Sequence, residues 1–423
     1  MNKTLVQNVT GTRDFYPEDF VLRDWLYQKM RKVSALFGYQ EYDGPEIEYI
    51  TLYADKTSEE ILAEQVFTLK DRDDRTLVLR PELTPTFARL VAQKSQQLIQ
   101  PIRWFMFGRG WRYEKPQKGR GREFFQWEIN VLGPETPEAD AEILAIAGTF
   151  FKEIGLTPDE VIIRVNDRSY FEGFITSLGI EKDKYMPLLR IIDRKEKVSQ
   201  EEFDEMLFEQ GLSDEQVEKL NAFFKDTDVT KAPWLSKVFA ALDKYEGIRD
   251  YIVYDPIIAR GFDYYTRTVF EAWDKTGGLK RSLFGGGRFD NLTATIGGDR
   301  IPGVGMAPGD MPIMEVLKQF NKLPDIRPQS AVALVTIFDE STKEVSLEIA
   351  NTLRSVGIRT ELWVEPGIKL EKQLKYADSK NIPYVIIIGP DEAKEKKVTL
   401  KDLQNRTQTQ YTIDELLRLL QTK

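Results

Sequence analysis

"RYEKPQKGRGREFFQWEIN", residues 112–130, is the stretch on which the reading of this chain turns. Its first half crowds Arg112, Lys115, Lys118, Arg120 and Arg122 into a chain whose formal net charge is −9. Its second half alternates as a strand does, with successive side chains on opposite faces. Phe125, Trp127, Ile129 and then Val131 form an apolar set that predicts core. Phe124, Gln126, Glu128 and Asn130 form a mostly polar set that predicts either a lined cavity or solvent. The basic run is open to two readings, a solvated hairpin tip or a clamp for polyphosphate or nucleic acid.

Composition narrows the choice. The chain has 423 residues, 41% apolar and 30% charged, which suits two or three soluble globular domains. No apolar run approaches the roughly 20 residues of a membrane span. The opening "MNKTLVQNVTGTRDF" lacks a signal-peptide core, so a cytoplasmic location without membrane attachment is expected. The acidic balance confines any polyanion to local basic patches. Cysteine and histidine are both absent. Disulfides, thiolate nucleophiles, Cys-ligated zinc and imidazole bases are therefore excluded. Carboxylates, Arg, Lys, hydroxyls, backbone dipoles and oxygen-bound Mg²⁺ remain, a set suited to phosphoryl or nucleotidyl transfer.

Outward from the quoted stretch, Leu22, Leu26, Met30, Val33 and Phe37 recur at helical spacing and stop at Gly38. "VFTLKDRDDRTLVLRPEL" predicts two strands around a charged turn, and residues 101 to 132 a second hairpin. "TPEADAEILAIAGTFFKEIG" predicts the next helix. Residues 166 to 246 turn helical and charged, as an inserted module would. Strand and glycine signals return from "YIVYDPIIARGFDYYTRTVFEAW" to "IPGVGMAPGDMPIMEVL". After "NKLPDIRPQS", a β-α-β-α-β pattern predicts a separate small α/β domain. The expected domains are 1–165, 166–246, 247–323 and 331–423, with a linker at 324–330.

Three further segments carry chemistry. "LRPELTPTFARL" sets Glu82, Thr84 and Thr86 after a strand end. "ARGFDYYTRTVFE" sets Arg260 near Tyr264 and Tyr265. "GGGRFD" lets backbone approach a flat or phosphate ligand closely. Each alone is weak, since a glycine run is commonly a turn and a tyrosine pair commonly core.

Taken in order, these segments resemble the histidyl-tRNA synthetase family of class II aminoacyl-tRNA synthetases over nearly the whole length. "RYEKPQKGRGREFFQ" resembles its motif 2, "RGFDYYTRTVFE" and "GGGRFDNL" its two histidine signatures, and "LEKQLKYADSKNIPYVIIIG" its anticodon-binding domain. The resemblance implies an α+β catalytic domain with a mixed, mainly antiparallel sheet, a helical insertion, and a C-terminal α/β anticodon-binding domain. It implies a homodimer acting on histidine, ATP with Mg²⁺, and tRNA(His), through a histidyl-adenylate. Arg112 and Arg260 would neutralise charge on the reacting phosphate. Glu114 and Arg120 would contact ATP, and Phe124 would stack on adenine. Glu82, Thr84 and Gln126 would hold the α-amino group, and Tyr264 and Tyr265 would shape the imidazole pocket. The loop containing Gln117, Lys118 and Gly119 would reach the acceptor stem. Because substrates supply nucleophile and leaving group, a chain without histidine loses nothing in this chemistry.

Two positions depart from the family pattern. Motif 3 here is "GMAPGDM", with Asp310 and no arginine, which shifts phosphate binding to other cations. At position 130, where a carboxylate facing the substrate ring is expected, the chain has Asn130. Strand period sets Glu128 on the same face, and it is expected to supply the acceptor; the bland reading has it in solvent or in an ion pair. A catalytically silent relative, either a regulatory subunit of histidine biosynthesis or a sensor of uncharged tRNA, is the alternative. The presence of residues 331 to 423 and of Arg112, Arg120 and Arg260 argues against it.

Overall fold

A computed structural model describes residues 6–54, 65–260 and 262–421. The chain divides into two compact units at Pro324 and Asp325, the short segment Phe15–Leu22 grouping with the second. Among the described residues no helix is long and apolar enough to cross a membrane.

Helix α1 (Pro17–Leu36) gives its part from Arg23 onward to the first unit, and its Leu26, Met30 and Val33 are buried as their spacing predicts. Gly38 follows at φ +76°, a left-handed conformation that ends the helix and that glycine adopts at little cost. Strands β1 (Gln40–Glu41), β2 (Ile47–Tyr49), β3 (Phe67–Lys70) and β4 (Thr76–Leu79) come next. The last three make a small antiparallel sheet in the order β2-β4-β3. Helix α2 (Thr84–Gln93) then leads to β5 (Ile102–Trp111) and β6 (Glu123–Leu132). These two form the predicted hairpin, in register from Ile102↔Leu132 to Trp111↔Glu123.

The apolar side of this hairpin faces α1 and helix α3 (Pro137–Glu153). Fully buried Trp127 meets Phe150 edge-on at 5.3 Å and donates from Nε1 to Ser34 Oγ at 3.1 Å. Strand β7 (Val161–Asp167) precedes helices α4 (Arg168–Ser177), α5 (Tyr185–Ile192), α6 (Gln200–Glu209) and α7 (Asp214–Phe223). Those four share a separate core around Phe171, Leu188, Phe203 and Leu220. Helix α8 (Pro233–Leu242) instead joins the main core through Leu235, Val238 and Leu242. By packing, then, the helical module is narrower than residues 166 to 246. Composition marked a run of helices but carried no sign of which core each one joins.

Strands β8 (Ile252–Tyr254), β9 (Thr268–Asp274), β10 (Phe284–Arg288) and β11 (Gly303–Met306) complete the large sheet, with α9 (Leu292–Thr295) between the last two. Its order is β1-β5-β6-β11-β10-β9-β7-β8. Only the outer pairs β1–β5 and β7–β8 run parallel. The sheet is therefore mixed and mainly antiparallel. Helix α10 (Asp310–Gln319) closes the unit.

The second unit has its own sheet of β12 (Ala333–Val335), β13 (Thr360–Leu362), β14 (Tyr384–Ile387), β15 (Lys397–Asp402) and β16 (Thr407–Thr412). In the order β13-β12-β14-β15-β16, the first three are parallel and the rest antiparallel. Helices α11 (Lys343–Ser355) and α12 (Leu370–Ser379) make the two crossovers, and α13 (Pro390–Glu395) and α14 (Ile413–Gln421) follow. Ile349, Leu353, Ile386 and Leu416 lie in its core.

Candidate active site

A cavity of about 330 Å³ opens over the polar side of β6. Its walls include most of the residues that the sequence singled out. Glu82 and Thr84 enter from the end of β4 and the start of α2; Arg112, Glu114, Gly119, Arg120, Phe124, Gln126 and Asn130 from the β5–β6 hairpin; Arg260, Tyr264 and Tyr265 from the segment before β9. Gln117 and Lys118 are not among the lining residues. Both are exposed, and Lys118 pairs with Glu315 at 3.5 Å. Gly261, inside the first histidine signature, lies outside the described residues.

The hairpin explains how a bulky ring fits beside a strand. Phe124 stands opposite Gly110, and a Cβ there would overlap its ring. The Arg112 guanidinium carbon lies 5.4 Å from the Phe124 centroid, and its Nε donates to the Pro81 carbonyl at 2.9 Å. Burial pushes the Arg112 pKa down. Glu114 and Arg120 form a two-point ion pair.

Arg260 approaches from the other side of the cavity. Its backbone is left-handed at φ +56°, which for a non-glycine residue costs about 1 kcal/mol. Nη1 donates to Glu271 Oε1 at 2.7 Å, whereas Nε is buried without a partner among the described residues. Burial opposes its charge, yet Tyr265 and Glu271 outweigh that and hold its pKa above the ordinary range. The Tyr264 hydroxyl donates to Glu82 Oε2 at 2.9 Å, and burial pushes its pKa well up. Gln126 Nε2 donates to the Ala307 carbonyl at 3.3 Å.

Glu128 departs from the expectation made for it. Neither exposed nor ion-paired, it is fully buried and does not line the cavity. Its Oε2 accepts from the Tyr42 hydroxyl at 2.7 Å, and burial raises its pKa. Its Oε1 and the Nδ2 of neighbouring Asn130 are both buried with no hydrogen-bond partner among the described residues. The alternation of β6 named the right face; Tyr42, from a distant segment, closes over Glu128. Asp310 also lies in the wall, with its carboxylate bound by Arg13 Nη2 at 2.9 Å.

One cation escaped the sequence reading. Arg281, from the β9–β10 connection, lines the cavity, and its Nη1 donates to the Gly119 carbonyl at 2.8 Å. "GGLKRSLFGGG" has no periodicity that would have set it apart.

Taken as a whole, the cavity offers guanidiniums for phosphate oxygens, one ring for a flat base, and carboxylate, hydroxyl and amide groups for a small zwitterion. Comparison with known proteins agrees with that chemistry. The family described as histidyl-tRNA synthetase matches residues 11–309, and the anticodon binding domain matches residues 329–423. A histidine–tRNA ligase of Leptospira biflexa is 35% identical, covering 98% of this chain and 97% of that protein. The chloroplastic/mitochondrial histidine–tRNA ligase of Arabidopsis thaliana is 35% identical, covering 96% of this chain and 85% of that protein. The crystal structure of histidyl-tRNA synthetase from Nostoc sp. PCC 7120 superposes with a TM-score of 0.81 at 24% identity, covering 99% of each chain. This chain belongs to the histidyl-tRNA synthetase family.

Proposed function

We propose that this cavity joins histidine to ATP and then passes the histidyl group to tRNA(His). A carboxylate oxygen of histidine attacks the α-phosphorus, the bond to the β-phosphate oxygen breaks, and pyrophosphate leaves. The hydroxyl at the tRNA 3′ end then attacks the carbonyl carbon and AMP departs. Negative charge grows on the phosphoryl oxygens in the first step, so fixed positive groups lower its barrier. Arg112 and Arg260 fill that role. The observation that carries the reading is their convergence, from a hairpin and from a distant loop, on one cavity. The unmet Nε donor of Arg260 supports it.

The remaining residues divide between the two substrates. Phe124 stacks on adenine, and Glu114 and Arg120 hold the nucleotide once their mutual ion pair rearranges. Glu82, Thr84 and Gln126 receive the α-amino group. Tyr264, Tyr265 and Asn130 border the imidazole, and the Asn130 side chain, which lines the cavity, faces a ring that carries one donor and one acceptor. Such a site rejects analogues because they would leave its buried polar groups unpaired. Gln117, Lys118 and Gly119 meet the acceptor stem. Mg²⁺ would arrive with its substrate as MgATP, offsetting phosphate charge while keeping several of its waters. The working form is a homodimer in the cytoplasm; the small sheet leaves Ile47, Tyr49 and Leu69 exposed, an apolar face that a second copy would cover.

Histidine-dependent exchange of pyrophosphate into ATP tests the reading. The protein should support it, and Arg260→Ala should lower the rate about a hundredfold, close to 3 kcal/mol. Absence of exchange in the unaltered protein would reject it.

A further inference from the structure

We propose that Arg281 is the cation that binds the β- and γ-phosphates of ATP and the pyrophosphate that leaves. The inference rests on the cavity being the ATP site.

Four arginines line this cavity, and they are not equivalent. Arg260 is matched by Glu271, and Arg120 by Glu114. Arg112 and Arg281 form no ion pair with a carboxylate among the described residues. Each is oriented through a backbone carbonyl instead, Pro81 for Arg112 and Gly119 for Arg281. A carbonyl fixes the direction of a guanidinium without cancelling its charge. The charge of Arg281 is also held at a disadvantage: burial pushes its pKa down, Arg120 and Arg112 push the same way, and Glu114 offsets them only in part. A half-buried cation beside two others is relieved when a multiply charged anion enters.

Geometry separates the two unmatched cations by task. Arg112 stands beside the Phe124 ring, on the nucleoside side of the site. Arg281 bonds the 117–121 loop at Gly119, toward its tip. The start of α10 presents Asp310 to the cavity, and its carboxylate is already taken by Arg13. The start of α10 therefore brings an acid to the cavity and no free cation, which leaves Arg281, from the β9–β10 connection, as the lining guanidinium for the outer phosphates. Five guanidinium donors in a planar fork suit such oxygens.

AMP carries the α-phosphate but lacks the β and γ, so the ratio of ATP to AMP affinity isolates this role. Calorimetric titration of the full chain with MgATP and with AMP should show Arg281→Ala weakening ATP at least tenfold while AMP changes less than twofold. Arg281→Lys should recover part of the loss. Arg281→Gln keeps a donor for Gly119 but no charge, so it should behave as the alanine variant does while melting within a few degrees of the unaltered protein; it decides the matter if the alanine variant folds poorly. In pyrophosphate exchange the KM values for ATP and pyrophosphate should rise together and the KM for histidine should hold. Equal weakening of ATP and AMP, or unchanged ATP affinity, would overturn the proposal. A protein that binds ATP in this pattern yet exchanges no pyrophosphate would overturn the activity reading and leave the assignment of Arg281 standing.

Discussion

The guanidinium of Arg260 rests on the bare backbone of Gly285, where a Cβ would overlap it. The two residues come from the two separate histidine signatures, so their contact gives a physical reason for both. Gly285 is the second residue of β10 and pairs with Glu271 of β9, the same glutamate that holds Arg260 Nη1. A methyl group at position 285 meets the far end of a flexible side chain rather than backbone. Gly285→Ala should therefore leave the strand in place and displace Arg260. The expected result is a ten- to hundredfold fall in the exchange rate with a small change in melting temperature. Combining it with Arg260→Ala should add little further loss, because both changes remove one interaction.

Phe124 yields a prediction on the nucleotide side. Its ring has room only because Gly110 faces it across the hairpin. Stacking of a base on an aromatic side chain is worth about 1–3 kcal/mol. Phe124→Ala should raise the KM for ATP roughly tenfold or more and leave the KM for histidine within a factor of two. Steady-state kinetics with each substrate varied in turn decide it.

Glu128 yields a prediction on stability. Its carboxyl is raised above 4.5 by burial, so the folded chain holds this proton more tightly than the unfolded chain does. Its contribution to stability is then complete below about pH 4.5 and is lost as pH rises through the folded value. Gln has nearly the shape of the protonated acid and does not titrate. Melting temperatures of the E128Q variant and the unaltered protein should converge near pH 4 and separate as pH rises, the variant being the more stable. A variant no more stable at pH 8 than at pH 4, relative to the unaltered protein, would contradict the assigned burial.

Much of this site is visible in one dimension, and the reason is local. The alternation from Phe124 to Val131 is a property of a single strand, and it separates the core set from the cavity set without knowledge of partners. The meeting of Arg112 with Arg260 rested instead on a family resemblance, since no spacing in the chain predicts it. What stayed hidden depends on contacts between distant segments. Tyr42 closing over Glu128, Arg13 reaching Asp310, and Arg281 bonding Gly119 each join residues whose own neighbourhoods in sequence are unremarkable. The place of α8 in the main core was hidden for the same reason.

The scaffold under the glycine-rich strand carries its own test. Arg288, at the end of β10, and Asp140, in α3, are both fully buried. Asp140 Oδ1 accepts from Arg288, while Oδ2 accepts from Trp234 Nε1 at 2.7 Å and Thr268 Oγ1 at 2.6 Å. Asp140 thus ties α3, α8, β9 and β10 together at one point. Removing one member of a buried pair strands the other charge, at a cost of about 3–5 kcal/mol. Asp140→Ala should fall at the lower end, because Asp290 Oδ1 still accepts from Arg288 Nη1 at 2.9 Å. Asp140→Asn keeps acceptors for Trp234 and Thr268 and should cost less. Replacing both partners, Asp140→Leu with Arg288→Met, should recover little of the loss, since it strands the buried Asp290 carboxylate that Arg288 Nη1 also serves. Urea unfolding of the three variants measures the order. Pyrophosphate exchange per folded molecule should stay near that of the unaltered protein wherever the fold persists, because neither residue lines the cavity.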